Sequence, residues 1–284
     1  MASASARMPV MTNEMGRYGF WRMLRNTTPA MAAEVERLGY GAIWVGGSPP
    51  GDLIQVEALL DATEWIPVVT GIVNMWREEA ETVAASYHRV AEIHPNRFLL
   101  GVGIGHPEAT AEYQDPLEKI TDYLDRLDAA GVRRDRMVLA ALGPRALRIA
   151  GERTAGAHPY LTTPAHTAFA REVMGEGPLL APEHKVVLEA DPDRTVAREI
   201  VSRYLGRANY RNNLMRSGWT EADFADGGSD ALVDALVLQG TPEQVATGLE
   251  DHLEAGADHV GIQVLGDDPL PSYRRLAEVL SLTS

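Results

Sequence analysis

Short apolar segments alternate with longer amphipathic segments along most of the chain. The apolar segments are rich in β-branched residues and are bounded by glycine or polar residues, which is typical of parallel strands covered on both faces. The amphipathic segments predict helices, and several begin with a capping residue followed by proline, as at Thr163-Pro164 and Thr241-Pro242. Eight apolar segments predict strands: residues 18–21, 42–45, 66–73, 98–103, 137–142, 156–161, 185–188 and 259–265.

This alternation over about 250 residues predicts an α/β fold, the (β/α)8 TIM barrel. The alternative is an open doubly wound sheet, which would carry a Gly-x-Gly-x-x-Gly motif after an early strand. Gly101 and Gly103 fit that motif, but His106 stands where the third glycine should be, and the strand is the fourth rather than the first. We therefore expect a single barrel domain over residues 16–284, after a disordered lead-in at residues 1–15.

A helical segment of about residues 193–238 separates the predicted seventh and eighth strands and is too long for a single barrel helix. An insertion at this point lies beside the carboxyl ends of the strands, where barrel enzymes have their active sites. Its Asn- and Tyr-rich stretch, residues 204–213, favours a lid or a pocket wall over a surface excursion.

Composition narrows the range of partners and chemistry. The chain has 284 residues, a net charge of −14 and no cysteine. The negative charge argues against nucleic acid and anionic membranes as partners. The lack of cysteine excludes disulfides and thiolate chemistry and fits a cytoplasmic protein. No apolar stretch reaches the roughly 18 residues of a spanning helix, and no His-Glu-x-x-His spacing for a metal occurs.

The segment Phe98–His106 begins as a buried strand and ends in alternating glycines. Glycine lets a backbone or a flat ligand approach closely because it has no Cβ. Gly103 and Gly105 therefore indicate a strand end cleared for a planar ligand, although such glycines also mark bulges and turns.

The predicted carboxyl ends of the strands are rich in glycine, aromatic residues, asparagine and histidine. They contain no pair of carboxylates for acid–base work, no Gly-x-Ser-x-Gly elbow and no Walker lysine. A mouth of this kind suits a flat cofactor that supplies its own chemistry. Asn74 lies in an apolar run and needs a hydrogen-bonding partner if it is buried, either on a cofactor or in the adjacent loop.

Residues 142–145, with the sequence LGPR, form a candidate phosphate site. A helix that starts at Pro144 presents free N–H groups and a positive dipole end at Gly143. Thr162 and Thr163 begin the next helix in a similar way. The alternative in both places is an ordinary helix start without a ligand.

Five stretches are specific when their order and spacing are taken together: LGYGAIWV (38–45), VTGIVN (69–74), NRFLLGVG (96–103), AALGP (140–144) and GAH (156–158). With them, the chain resembles the bacterial-luciferase-like superfamily, in particular its branch that uses coenzyme F420, a 5-deazaflavin. The resemblance covers nearly all of residues 16–282. The chain looks most like an actinobacterial subgroup of deazaflavin-dependent oxidoreductases, which also has the stretch at residues 209–213.

The resemblance implies a barrel with an insertion after the seventh strand and F420 in its mouth, against the third strand. It also implies a cis peptide bond at Gly71–Ile72 behind the cofactor ring, and a homodimer. The implied cofactor-binding residues lie at the ends of the second to sixth strands: Gly46, Gly71, Ile72, Asn74, Gly103, Gly105, Ala141, Leu142, Gly143, Thr162 and Thr163.

The implied function is hydride transfer between F420 and a small organic substrate, with reduction of a C=C or C=N bond. His106, His158 and Tyr160 are the candidate catalytic residues for the accompanying proton, and for each the alternative is a structural role. Sugar-phosphate dehydrogenases of the superfamily have an Asp-His pair where this chain has Gly-Gly-Ser at residues 46–48, which puts a histidine-based alcohol oxidation in doubt. The alternatives are an FMN-dependent monooxygenase and a binding protein without catalytic activity.

Overall fold

The computed structural model describes residues 15–105, 115–189 and 193–282. Its parallel sheet contains β1 (Tyr18–Met23), β2 (Ile43–Gly46), β3 (Val68–Gly71), β4 (Val73–Asn74), β5 (Phe98–Gly103), β6 (Met137–Leu139), β7 (Gly156–Ala157), β8 (Leu179–Leu180), β9 (Glu183–Val187), β10 (Val237–Gln239) and β11 (Val260–Val264).

The helices surround this sheet. They are α1 (Pro29–Arg37), α2 (Ile54–Asp61), α3 (Ala80–Ile93), α4 (Pro116–Ala129), α5 (Pro144–Arg153), α6 (Pro164–Met174), α7 (Thr195–Leu205), α8 (Ala208–Arg216), α9 (Asp230–Leu236), α10 (Pro242–Glu254) and α11 (Leu270–Val279). Within the described ranges, no helix combines the length and the apolar character needed to cross a bilayer.

The strands close into a barrel in the order β1-β2-β3-β5-β6-β7-β8/β9-β11. β8 and β9 are two parts of one strand interrupted at Pro182, since β8 pairs with β7 and β9 pairs with β11. The backbone N–H groups of Glu183 and Gly261 donate to the carbonyls of Pro159 and Pro182, which bonds this strand to both neighbours. The closed barrel confirms the predicted fold class and excludes the open doubly wound sheet.

The predicted third strand is divided in the structure. β3 and β4 meet at Ile72, and the Gly71–Ile72 peptide bond is cis, as the resemblance implied. α2 is a helix that the sequence analysis did not predict. It begins after Leu53, which has a φ of 58° and makes no side-chain cap; Asp52 Oδ1, one residue earlier, accepts the Ile54 N–H at 3.1 Å.

The insertion is helical, as predicted, but it is composed of several short elements. α7 and α8 are followed by a 3-10 segment, Glu221–Gly227, and then by α9. The chain next forms β10, which pairs with β9 and was not predicted. Residues 1–14 of the predicted lead-in lie outside the described residues, whereas Met15 is fully buried.

Alternate residues of the strands divide the core into two layers. Phe20, Ile43 and Val68 belong to the layer that packs under the helices. The other layer fills the barrel. There Trp21 and Trp44 pack with apolar residues from other strands: Val69, Leu99, Val138, Leu179 and Ala181. The insertion has its own apolar cluster, which includes Leu161 of the barrel, so it packs on the barrel rather than projecting from it.

Two charged side chains hold the loops at the amino ends of the strands. The Glu36 carboxylate accepts hydrogen bonds from three consecutive backbone N–H groups, those of residues 64–66. The Arg97 guanidinium donates to carbonyls of the same connection, within residues 60–66. These bonds fix the entry to β3 at one end of the barrel, opposite to the carboxyl ends of the strands.

Gly101→Ala should destabilise the barrel. The Thr70 hydroxyl lies 2.8 Å from both the backbone O and the backbone N of Gly101, and a Cβ at Gly101 would lie 1.7 Å from Thr70 O. We expect the free energy of unfolding, measured by urea titration, to fall by about 2 kcal/mol or more. The control is Gly206→Ala, because a Cβ there has no neighbour closer than 3.9 Å. Equal stability of the two variants would contradict the close approach of β3 and β5.

Candidate functional site

The carboxyl ends of the barrel strands and the loops that follow them form the barrel mouth, which the insertion flanks. Of the predicted site residues within the described ranges, all but His158 lie there: Gly46, Gly71, Ile72, Asn74, Gly103, Gly105, Ala141, Leu142, Gly143, Tyr160, Thr162 and Thr163. His106 lies outside the described residues. The structure therefore brings together side chains that are more than a hundred residues apart in sequence.

His158 lies inside the barrel, below the mouth, and both of its ring nitrogens are hydrogen-bonded. Nδ1 lies 2.6 Å from Ala181 O, so it donates, and Nε2 accepts from Trp21 Nε1 at 3.1 Å. The ring is stacked on Trp44 with centroids 4.1 Å apart and is 2% exposed. Burial lowers the pKa of His158 to about 4, so the ring is neutral at pH 7 and supports the floor of the mouth.

A second pair repeats this arrangement one layer away. Trp44 Nε1 donates to His259 Nε2 at 3.0 Å, and His259 Nδ1 donates to Gly16 O at 2.9 Å. Burial lowers the pKa of His259 to about 4 as well. The two indoles thus find their hydrogen-bond acceptors on neutral histidines inside the barrel, as buried polar groups require.

The glycines that face the mouth make room chiefly for the protein's own side chains. A Cβ at Gly46 would lie 2.3 Å from the Trp21 ring, and one at Gly71 would lie 3.3 Å from Trp21 Nε1. A Cβ at Gly103 would lie 2.9 Å from Ala140 Cβ and 3.1 Å from Ile72 Cγ1. The packing of Trp21 and Ile72 against these positions therefore accounts for the glycine pattern. Together they form a flat floor of the mouth.

Asn74 finds its partner in the adjacent loop. Its Oδ1 accepts the backbone N–H of Trp76 at 2.9 Å, and the residue is 4% exposed. A Cβ at Gly105 would lie 2.6 Å from Asn74 Nδ2. Gly105 has a φ of 60°, a conformation that favours glycine. Asn74 thus shapes the loop, and its amide NH2 faces Gly105.

The start of α5 is an open helix N-terminus at the mouth. Gly143 is the N-cap, so no side chain caps the helix, and the first turn contains no acidic residue. The one neighbour within 4 Å of a Cβ at Gly143 would be Arg216 Nη2 of the insertion, at 3.6 Å. A guanidinium and the positive end of a helix dipole therefore lie side by side.

The start of α6 is next to this point and differs from it. Thr163 caps the helix with Oγ1, which accepts from His166 N. His166 Nε2 lies 3.0 Å from the Leu142 carbonyl, so it donates and links the two helix starts. Thr162 is 1% exposed, and its hydroxyl has no hydrogen-bond partner among the described residues. Such an orphaned hydroxyl is uncommon in a folded protein.

Tyr160 lies in the loop between β7 and α6 and is only partly buried. Its hydroxyl lies 2.9 Å from Tyr204 Oη of the insertion and donates to Gln263 Oε1 at 3.2 Å. Below its ring lies a fully buried ion pair, Glu183–Lys185, with Lys185 Nζ 3.7 Å from the ring centroid. Burial raises the pKa of the Tyr160 phenol well above its ordinary value, so the hydroxyl keeps its proton at neutral pH.

Solved structures with this fold include F420-dependent and FMN-binding oxidoreductases. An F420-dependent secondary alcohol dehydrogenase in complex with an F420–acetone adduct superposes with a TM-score of 0.73 at 15% identity, over 94% of this chain and 98% of that one. The coenzyme F420-dependent tetrahydromethanopterin reductase of Methanopyrus kandleri gives 0.66 at 14% identity, over 93% and 98%. The oxygenating constituent of a Pseudomonas putida type II Baeyer–Villiger monooxygenase, in complex with FMN, gives 0.67 at 17%, over 93% and 96%.

The chain shares its fold with these F420-dependent and FMN-binding oxidoreductases. At these identities the likeness concerns the fold, and it agrees with the resemblance found in the sequence. No family model matches the chain, and no curated protein matches it in sequence. The actinobacterial subgroup stays a prediction.

Trp21 and Arg216 of the barrel mouth were not identified from sequence. Trp21 looks like an ordinary apolar position, and Arg216 is more than seventy residues from Gly143 in the chain. Tyr204 lies in the stretch at residues 204–213 for which a lid or a pocket wall was predicted. The Glu183–Lys185 pair did give a signal, because two charged residues two positions apart in a buried strand point to the same face. That face is the barrel interior.

Stability should fall as the pH is lowered from about 6.5 to about 4. His158, His252 and His259 are buried with pKa values of about 4, whereas an unfolded histidine titrates near 6.5. The unfolded state therefore binds more protons in this window, and each such histidine should remove about 2 kcal/mol between pH 7 and 5. Urea unfolding at a series of pH values measures this loss.

A free energy of unfolding that is constant between pH 7 and 5 would contradict the burial of neutral histidines.

Proposed function

We propose that this chain is an oxidoreductase that transfers a hydride between coenzyme F420, bound at the barrel mouth, and a small organic substrate, most simply by reducing a C=C or C=N bond. The observation that carries this proposal is the open N-terminus of α5 beside Arg216, at the mouth of a luciferase-like barrel. Two of the structural neighbours named above are F420-dependent enzymes, which supports the choice of cofactor.

The residues around Gly143 fit a cofactor phosphate. A guanidinium next to the positive end of a helix is unfavourable unless an anion lies with them, and a phosphate satisfies both. Arg216 donates to Asn213 Oδ1 at 3.1 Å, and no carboxylate of the described residues pairs with it. The backbone N–H groups that start α5 and the Thr162 hydroxyl supply further donors. Ala141, Leu142, Gly143, Thr162 and Thr163 are thus the proposed phosphate residues.

The ring of the cofactor is proposed to lie on the floor formed by Trp21 and Ile72, next to Gly46, Gly71 and Gly103. Asn74 and Gly105 then line its edge. When bound, F420 supplies a two-electron hydride carrier. The chain's own residues bind it, orient its ring against the substrate and keep water from the reacting face.

Tyr160 is the proposed proton donor. Its phenol is protonated at neutral pH, it is partly exposed at the mouth, and Gln263 and Tyr204 hold its hydroxyl. His158 is less suited, because it is 2% exposed and lies below the mouth, where Trp21 and Ala181 bond both of its nitrogens. His106 stays a candidate, outside the described residues. The cytoplasmic location and the homodimer stay predictions.

An FMN-dependent monooxygenase is the second candidate. One structural neighbour is a monooxygenase in complex with FMN, and the phosphate residues around Gly143 suit either cofactor. The two candidates differ in the bound cofactor and in the use of oxygen.

Anaerobic titration with each cofactor separates them. We expect the dissociation constant of F420 to be about tenfold or more below that of FMN. Binding is measured by the fluorescence or absorbance of the cofactor. Reduced F420 should then be oxidised in the absence of oxygen when 2-cyclohexen-1-one is added as a probe acceptor. Tight binding of FMN without binding of F420 would overturn the proposal, and binding of F420 without turnover of any acceptor would favour a binding protein.

Gly143→Asp should weaken cofactor binding about tenfold or more, because it places a carboxylate beside the anion site. Gly143→Ala is the matched control, since its Cβ would lie 3.6 Å from Arg216 Nη2 and adds no charge. Arg216→Gln should weaken binding in the same direction. Affinity that is equal for Gly143→Asp and Gly143→Ala would mean that the phosphate lies elsewhere.

A further inference from the structure

A fully buried ion pair lies inside the barrel, directly below the mouth. Lys185 Nζ is 2.9 Å from both carboxylate oxygens of Glu183, and both residues are 0% exposed. Burial raises the pKa of Glu183 and lowers that of Lys185, and the opposite charge of each partner counteracts both shifts. Removing two charges from water is costly, and apolar residues often serve stability equally well. The pair therefore calls for a role other than stability.

The contacts of Lys185 point to Tyr160. The ammonium lies 3.7 Å from the centroid of the Tyr160 ring and 5.5 Å from that of Tyr204. A cation at this distance from a desolvated aromatic face attracts the ring. Glu183 also accepts the backbone N–H of Leu161, the residue that follows Tyr160. The pair thus contacts both the ring and the backbone of the tyrosine segment.

The hydroxyl of Tyr160 is held by Gln263 and Tyr204, which are neighbours of the Glu183–Lys185 pair. Gln263 on β11 is in register with Lys185 on β9, and its Oε1 accepts from Tyr160. Tyr204 bonds to the same hydroxyl from the insertion. The ring face is therefore fixed by the cation below, and the hydroxyl by two partners at its edge.

We propose that Lys185, held by Glu183, is a positioning residue for Tyr160: its ammonium fixes the plane of the phenol ring so that the hydroxyl stays between Gln263 and Tyr204 at the mouth. This inference rests on the proposed function, in which Tyr160 is the proton donor, and it assigns the Glu183–Lys185 pair a role in that step. Lys185 itself does not reach the mouth, because it is fully buried beneath the ring.

The test uses a charge-free pair. Lys185→Met alone would leave Glu183 buried without a partner, so the informative variant is the double substitution Glu183→Gln and Lys185→Met, which keeps similar volumes. The matched control is Lys119→Met, because Lys119 is the only other lysine of the chain and also lies over aromatic rings, at 5.5 Å from Trp76.

The first readout is the carbon-13 NMR signal of tyrosine labelled at Cζ, with Tyr160 assigned through Tyr160→Phe. We expect the Tyr160 signal to shift in the double variant, while that of Tyr273, whose hydroxyl bonds to carbonyls at the β1–β11 pair, stays in place. Lys119→Met should leave Tyr160 unchanged. An unchanged Tyr160 signal in the double variant would overturn the positioning role.

A reciprocal measurement avoids any dependence on folding of the double variant. Lysine labelled at Cε gives two signals, since the chain has two lysines. Tyr160→Leu should move the Lys185 signal by removing the ring above it and should leave the Lys119 signal in place. A Lys185 signal that does not respond would overturn the contact itself.

The kinetic readout separates this inference from the proposed function. With reduced F420 and 2-cyclohexen-1-one, the double variant should lower kcat about tenfold with little change in KM or in the F420 dissociation constant. In a Tyr160→Phe background the double substitution should cause no further loss, because the hydroxyl through which the pair acts is already absent. Additive losses would overturn the positioning role. If Tyr160→Phe alone leaves kcat unchanged while the NMR shift is present, the proton-donor assignment fails and the positioning role stands.

Discussion

The interior of this barrel depends on the way two indole N–H groups find acceptors away from water. Trp21 and Trp44 project from neighbouring strands into a space that only a few side chains can share. Each donates to the Nε2 of a histidine that donates in turn to a backbone carbonyl. This chain of bonds works only with neutral histidines in one tautomer. The burial and tautomer of the two histidines and the placement of the two tryptophans therefore depend on one another. The barrel mouth lies directly above these four side chains.

Much of the mouth follows from that constraint. The Trp21 ring passes under Gly46 and Gly71, where any Cβ would collide with it or crowd it. The floor is flat because aromatic rings and glycines form it, and not because a space was left vacant. The helix starts of α5 and α6, Tyr160 and the insertion surround this floor. The barrel supplies the floor, and the insertion supplies Arg216 and Tyr204.

The sequence was sufficient for the features that depend on local pattern. Strand–helix alternation predicted the barrel, the proline and threonine signals predicted the starts of α5, α6 and α10, and Asn74 was expected to need a partner. It was insufficient wherever the cause lies across the barrel. The role of the glycines at 46 and 71 depends on Trp21, which is in another strand. α2 has an apolar N-cap residue, Leu53, and β10 is three residues long and takes its register from β9. Arg216 meets Gly143 only through the packing of the insertion, which no local signal specifies.

The position of Arg216 on α8 links the docking of the insertion on the barrel to the binding of an anion near Gly143. The small apolar cluster of α7–α9 holds the insertion against Leu142 and Tyr160, and only in that docked state does the guanidinium lie beside the start of α5. An anion at the proposed phosphate site would then be bound by both the barrel and the insertion. Its apparent affinity would equal the intrinsic affinity multiplied by the fraction of molecules with the insertion docked. By the same linkage, the anion would stabilise the docked insertion, so the ligand would tether the insertion to the barrel.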